Sequence, residues 1–207
     1  MTDLVVWVPD KNIEATLDAL MQRPESLGIR KLDVKIFTDM HRDPGCFKNG
    51  AEHLAGFRDT YSRGLLVFDH AWDGCPAQDA VTLEAMVREK FNANGIGDWA
   101  EVVVLEPELE IWAWTDSPHL PRLMNWDGNY QSLREWLQSQ DLWAPEAAKP
   151  GDPKLALETA LYRGKVRRSS SFFRDLARDV SFKRCQDPSF LRLREILGNW
   201  FPQAAIS

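Results

Sequence analysis

The chain has 207 residues, 44% of them hydrophobic and 27% charged, with 12 Gly and 12 Pro. These values fit one globular domain, or one with a modest appendage, and exclude collagen-like, low-complexity and wholly disordered chains. A formal net charge of -6 excludes a uniformly basic nucleic-acid binder. Three cysteines, Cys46, Cys75 and Cys185, are an odd number without metal-ligand spacing and point to reduced thiols in a cytoplasmic setting. With no apolar run of about 18 residues and no basic start, neither a membrane nor a secreted location is expected.

Residues 4–8 (LVVWV) read as a buried strand, closed by the turn chemistry of Pro9 and Asp10. Ile13, Leu17, Leu20 and Met21 then recur at helical spacing. Residues 32–37 alternate apolar and polar, as a half-exposed edge strand does. Residues 39–50 are dense in turn formers and read as a loop, with a helix over 51–61. Residues 64–69 (GLLVFD) repeat the pattern of an apolar strand ending in an acid. A helix over about 78–91 follows, then a strand at 102–105, then a helix entered at Pro107. Strands alternating with helices imply parallel crossovers. The fold class is therefore α/β, an open and mostly parallel Rossmann-like sheet over residues 1–116. Residues 117–207 carry no strand pattern and read as a helical extension packed on that core, with helices near 131–139, 153–163, 170–180 and 188–200.

Ligands of open α/β sheets collect beyond the carboxyl ends of the strands, and this chain puts acids there repeatedly. Asp10 follows the first strand with Glu14 one turn later, Asp69 ends the third with Asp73 four residues on, and Glu106 ends the fourth, just before Glu108 and Glu110. Converging carboxylates are hard oxygen ligands of the kind Mg²⁺ takes. Single acids at such junctions serve equally as helix caps and dipole partners, and Glu14, Glu108 and Glu110 are the weakest candidates. Asp69 is the strongest, because a carboxylate closing a fully apolar strand adds desolvation cost without helping the core. His41 and His70 fall in strand-end loops but form no ligand pair, and Cys46 and Cys75 lack further ligands. Phosphate-cradling glycine motifs and a Gly-x-Ser-x-Gly elbow are absent.

The average charge hides a division. Residues 1–162 carry 27 acids and 15 bases, whereas residues 163–184 carry eight bases and two acids. Lys165, Arg167, Arg168 and Arg174, interleaved with Phe172 and Phe173, suit phosphate contact and stacking. They suit equally a solvated helix entrance that docks on the body or on a partner, with Ser170 or Ser171 as its cap.

Taken in order, VPDKNIE at 8–14, DPGC at 43–46, LVFDH at 66–70, the following Gly74-Cys75, and EPELEIW at 106–112 resemble small bacterial Toprim-like proteins that carry a PELE-W signature. More narrowly, they resemble the Toprim-like component of methylation-associated anti-phage defence systems. CQDPSFL at 185–191 is similar to that group as well, so the resemblance spans nearly the whole chain. It implies Mg²⁺-dependent phosphodiester cleavage of DNA or RNA, with Asp69 and Asp73 as principal metal ligands, Asp10 as third carboxylate, Glu14 or Glu106 in support, and Lys11 offsetting phosphate charge. Asp10 stands where the family pattern has Glu, and Ala71 stands where a second Asp would follow Asp69, with Asp73 as its substitute. The alternative expectation is a catalytically degenerate adaptor that binds other defence subunits through Trp-rich surfaces and the basic segment.

Overall fold

Four strands, β1 (Thr2–Val8), β2 (Val34–Thr38), β3 (Tyr61–Asp69) and β4 (Ala100–Leu105), form one sheet in the order β2-β1-β3-β4. All three pairings are parallel, with Val8 opposite Thr38, Trp7 opposite Leu66 and Asp69 opposite Leu105. The carboxyl ends therefore line one edge of the sheet. The computed structural model describes residues 2–180 and 185–203.

Alternation along the strands sorts two cores. Leu4, Val6, Val8, Leu65, Val67, Val103 and Leu105 face α1 (Lys11–Met21) and the helices of the C-terminal half, and they belong to one apolar cluster with them. Val5, Leu66, Phe68, Val102 and Val104 face α3 (Arg42–Ala55) and α4 (Ala80–Ala93). A sheet covered on both faces needs such near-continuous apolar strands. Because β1 feeds outward to β2 while β3 feeds the other way to β4, the direction of winding reverses between β1 and β3, and a crevice opens at their ends.

A short helix α2 (Pro24–Leu27) follows α1. The C-terminal half comprises α5 (His119–Leu123), α6 (Tyr130–Ser139), α7 (Pro153–Arg163), α8 (Ser170–Asp179) and α9 (Pro188–Trp200). Side-chain caps start most of the longer helices: Asp10 for α1, Asp79 for α4, Asn129 for α6, Asp152 for α7, Ser169 for α8 and Asp187 for α9. Each satisfies an N–H of the first turn that would otherwise lack a partner. The cap of α8 is thus Ser169, one residue before the expected pair. Among the described residues no helix is long and apolar enough to cross a membrane.

Three elements depart from the sequence expectation. Residues 42–50 are not a loop but the first half of α3. Pro44 sits in its first turn, where a missing N–H costs nothing. Gly45 and Gly50 are close-packing positions, since a Cβ on either would collide with the Asp39 carboxylate or the Leu66 side chain. β3 begins at Tyr61, where a helix end was expected. After Pro107 only a single 3₁₀ turn (Leu109–Trp112) forms in place of a helix.

Candidate functional site

A cavity of about 580 Å³ opens at the carboxyl ends of β1, β2 and β3, at the reversal of winding. Asp10, Asp39, Asp43, Asp69 and Glu108 line it, together with Lys11, Arg42, Lys154 and Arg168. Local folding puts each acid there. The Asp10 Oδ1 accepts the Asn12 and Ile13 N–H groups at 2.8 and 3.0 Å, which fixes the entry to α1. Asp43, in the first turn of α3, accepts the Asp69 N–H at 2.9 Å, and Asp69 in turn accepts the Leu109 N–H at 2.9 Å. One relay of carboxylate and amide thus ties α3, the end of β3 and the 3₁₀ turn together. The second carboxylate oxygen of Asp10, Asp43 and Asp69 takes no hydrogen bond from another described residue.

Crowded like charges raise the cost of ionisation. Burial pushes the Asp69 carboxyl well above its ordinary value, and the charges of Asp43, Glu110, Asp10 and Glu108 push it further. Burial also raises Asp43, against the pull of the Asp69 N–H. The remaining acids are compensated. Glu108 pairs with Lys154 at 2.8 Å, and its carboxyl is nonetheless raised by burial. Glu110, whose side chain is 1% exposed, pairs with Arg168, whose Nε donates at 2.8 Å. Asp39 accepts from the Trp7 indole at 2.9 Å and from the His41 N–H at 2.8 Å. Below the cavity, burial raises the Cys46 thiol far beyond its ordinary value, which makes it inert as a nucleophile.

The residues singled out from the sequence fall into two groups. Asp10, Asp69, Lys11 and Arg168 meet at the cavity. Asp73 does not: the chain turns away after His70 and leaves Asp73 exposed in the 72–75 turn. Glu14 lies outside as well, paired with Lys11 at 2.5 Å and facing a neighbouring groove that Arg174 also lines. Glu106 points to a separate pocket between α4 and α9 and accepts the Ala80 N–H at 3.3 Å, a helix-start role. Lys165 and Arg167 are exposed on the connector between α7 and α8, away from the cavity lining, and Lys183 and Arg184 lie outside the described residues. His70 holds the loop through a contact of 3.1 Å between its Nε2 and the Ala77 carbonyl.

Asp39, Asp43, Arg42 and Lys154 also line the cavity, beyond the residues that the sequence singles out, and Glu108 and Glu110 are not solvated helix-face acids but buried and paired with Lys154 and Arg168. An Asp-Pro pair at 43–44 is itself a helix-start signal and offered a route to Asp43.

The donor chemistry suits a hard divalent cation, which keeps several waters and takes one or two carboxylates. The second oxygens of Asp10, Asp43 and Asp69, which take no hydrogen bond from another described residue, are donors of that kind on one cavity wall. Among the described residues, however, no three Asp, Glu, His or Cys side chains form a ready-made metal group, and the expected trio of Asp10, Asp69 and Asp73 is not brought together. No family model, curated protein or solved structure matches this chain.

Proposed function

We propose that the cavity binds a phosphate ester together with a divalent cation, Mg²⁺ by its ligand chemistry, and that the chain is a Toprim-like phosphodiesterase acting on nucleic acid within a cytoplasmic anti-phage defence system. One observation carries the chemical part: Asp10, Asp43 and Asp69, from three separate segments, share one cavity, and among the described residues their second oxygens take no hydrogen bond from another residue and no cation pairs with them. Such crowding is costly unless a positive ligand relieves it. The defence setting rests on the sequence resemblance alone.

A bound divalent cation there would supply Lewis acidity and an activated water. The chain's own residues do the rest. Asp43 fixes the end of β3 through the Asp69 amide, and the Leu109 N–H fixes the Asp69 carboxylate. Lys11 and Arg42, at the starts of α1 and α3, and Lys154 and Arg168, from the helical half, line the same cavity; Arg42 would meet a phosphate directly, and Lys11, Lys154 and Arg168 would do so with the hydrogen-bonding capacity left beside Glu14, Glu108 and Glu110. Their charge-assisted hydrogen bonds suit phosphate oxygens, and the Arg forks add geometric specificity.

Titration of MgCl₂ and MnCl₂ into the protein by calorimetry tests the reading, followed by incubation with end-labelled DNA and RNA strands. Saturable uptake lost in Asp69→Asn, with cation-dependent strand scission lost in parallel, is the expected result. Absence of uptake by the wild-type chain overturns it. The rival reading is a non-catalytic adaptor for other defence subunits, and two observations favour it: the carboxylates of Glu108 and Glu110 are already neutralised by Lys154 and Arg168, and no three-ligand group is preassembled among the described residues. An adaptor predicts cation indifference and an Asp69→Ala variant that keeps full phage protection in cells.

A further inference from the structure

We propose that Lys149, Asp187 and Ser189, none of which lines the carboxylate cavity, form with Trp112 a clamp that positions the Asp69 carboxylate by fixing the 3₁₀ turn; the inference rests on the function proposed above. The Trp112 indole N–H donates to the Ser189 Oγ at 2.7 Å, and that hydroxyl donates to the Asp187 Oδ1 at 2.5 Å. Lys149 completes the chain, donating to the Asp187 Oδ2 at 2.8 Å and to the Ile111 carbonyl at 2.9 Å. Three distant segments meet in this way: the loop before α7, the start of α9 and the 3₁₀ turn. Both ends of the network grip the turn, one through the Trp112 side chain and the other through the Ile111 backbone. The ring of Trp112 also packs edge-on against Phe190 at 5.3 Å.

The turn is what the clamp serves. It is short and tight, its Ile111 N–H donating to the Glu108 carbonyl at 3.0 Å, and its first residue supplies the Leu109 N–H that holds Asp69. It also brings Glu108 to the cavity wall and Glu110 to the Arg168 beside it. A 3₁₀ turn has poorer hydrogen-bond geometry than an α-helix, so its register depends on its apolar burial and on partners outside it. Capping of α9 accounts for the bond from the Ser189 N–H to Asp187 Oδ1, but not for the Lys149 and Trp112 arms of the network. Asp187 is 5% exposed, and a buried Lys–carboxylate pair gains little or nothing over apolar packing of the same volume. What such a network supplies is a unique register, and outer partners that orient a ligating side chain are worth about 10- to 100-fold in metal affinity.

Four variants test the clamp: Ser189→Ala, Lys149→Met, Ser189→Thr and, as a control, Val87→Ala on the opposite sheet face. Ser189 lines a pocket between α4 and α9, and Thr keeps the hydroxyl that links Trp112 to Asp187. Two readouts are taken at equal distance below each variant's melting temperature: hydrogen exchange of the Leu109 amide and calorimetric Mn²⁺ affinity. Ser189→Ala and Lys149→Met are expected to lower Leu109 protection by about tenfold or more and to weaken Mn²⁺ binding by about 10- to 100-fold. Ser189→Thr restores both, and Val87→Ala changes neither. Clamp variants that lose stability as Val87→Ala does, yet keep Leu109 protection and Mn²⁺ affinity, overturn the proposal. Faster Leu109 exchange in the clamp variants of a protein that takes up no Mn²⁺ supports the clamp and sinks the cation reading instead.

Discussion

Replacing Asp69 by Asn keeps an oxygen to accept the Leu109 N–H, removes the charge and puts an NH2 group in place of the second oxygen, beside the Asp10 and Asp43 carboxylates that can accept from it. In the native chain that carboxyl is raised well above its ordinary value of 3.8, first by burial and then by Asp43, Glu110, Asp10 and Glu108. The folded state therefore binds this proton more tightly than the unfolded chain does. Stability from this group is complete below 3.8 and is lost as the pH climbs through the higher folded-state value. At neutral pH the native protein carries that loss and Asp69→Asn does not. The variant should therefore melt above the wild type at pH 7, and for a chain of this size each kcal/mol of relief moves Tm by about 2–4 °C. Thermal scans at about pH 4 and pH 7 with and without Mn²⁺ read the effect. The gain should shrink toward the acidic end. Cation at about 100 times its Kd should lift the wild type alone, by about 2.7 kcal/mol. A variant that melts below the wild type at pH 7, or differs from it equally at both pH values, refutes the argument that these carboxylates oppose one another.

Asp43→Asn is expected to weaken Mn²⁺ binding by about tenfold or more, whereas Asp73→Asn, Glu14→Gln and Glu106→Gln stay near the wild type, because those three side chains lie outside the cavity; calorimetry across the four variants checks the contrast. Arg168→Ala strands the Glu110 carboxylate, 1% exposed, and should cost about 3–5 kcal/mol in urea unfolding, most of it recovered when Glu110→Leu is added. Gly64→Ala drives a Cβ into the Trp99 ring and should cost about 1–3 kcal/mol by overpacking, read in the same unfolding assay.

The strands and most helices were legible because local chemistry and tertiary packing agree in them. Residues 4–8 and 64–68 are apolar throughout, as strands covered on both faces must be, and Asp152-Pro153 and Asp187-Pro188 mark the starts of α7 and α9 in the sequence itself. The start of α3 was not legible. Its glycines have the composition of a loop, and only the nearness of Asp39 and Leu66 explains them. Asp43 was lost with that misreading. Asp73 was overvalued for the opposite reason, since its sequence distance from Asp69 is short while the chain path between them leaves the cavity. Glu108 and Glu110 looked like solvated helix-face acids because their partners, Lys154 and Arg168, stand 46 and 58 residues further along. Periodicity reads neighbours within a turn and is blind to pairs of that separation.

Those two long-range pairs also decide how the halves of the chain relate to the site. The sheet supplies Asp10, Asp39, Asp43 and Asp69, all acids, and of its own cations only Lys11 and Arg42 reach the cavity. The opposing cations Lys154 and Arg168 arrive from the helical half, at the start of α7 and just before α8. Without them two carboxylates of the 3₁₀ turn would be buried unpaired, at a cost no fold of this size carries easily. The helical half also covers the α1 face of the sheet within a single apolar cluster that runs from Leu4 to Phe201. Its burial provides the stability that tolerates crowded acids at the strand ends, and its basic side chains make the crowding asymmetric. Glu108 and Glu110 are neutralised within the protein, while among the described residues the second oxygens of Asp10, Asp43 and Asp69 take no hydrogen bond from another residue, which is what the proposed cation would use.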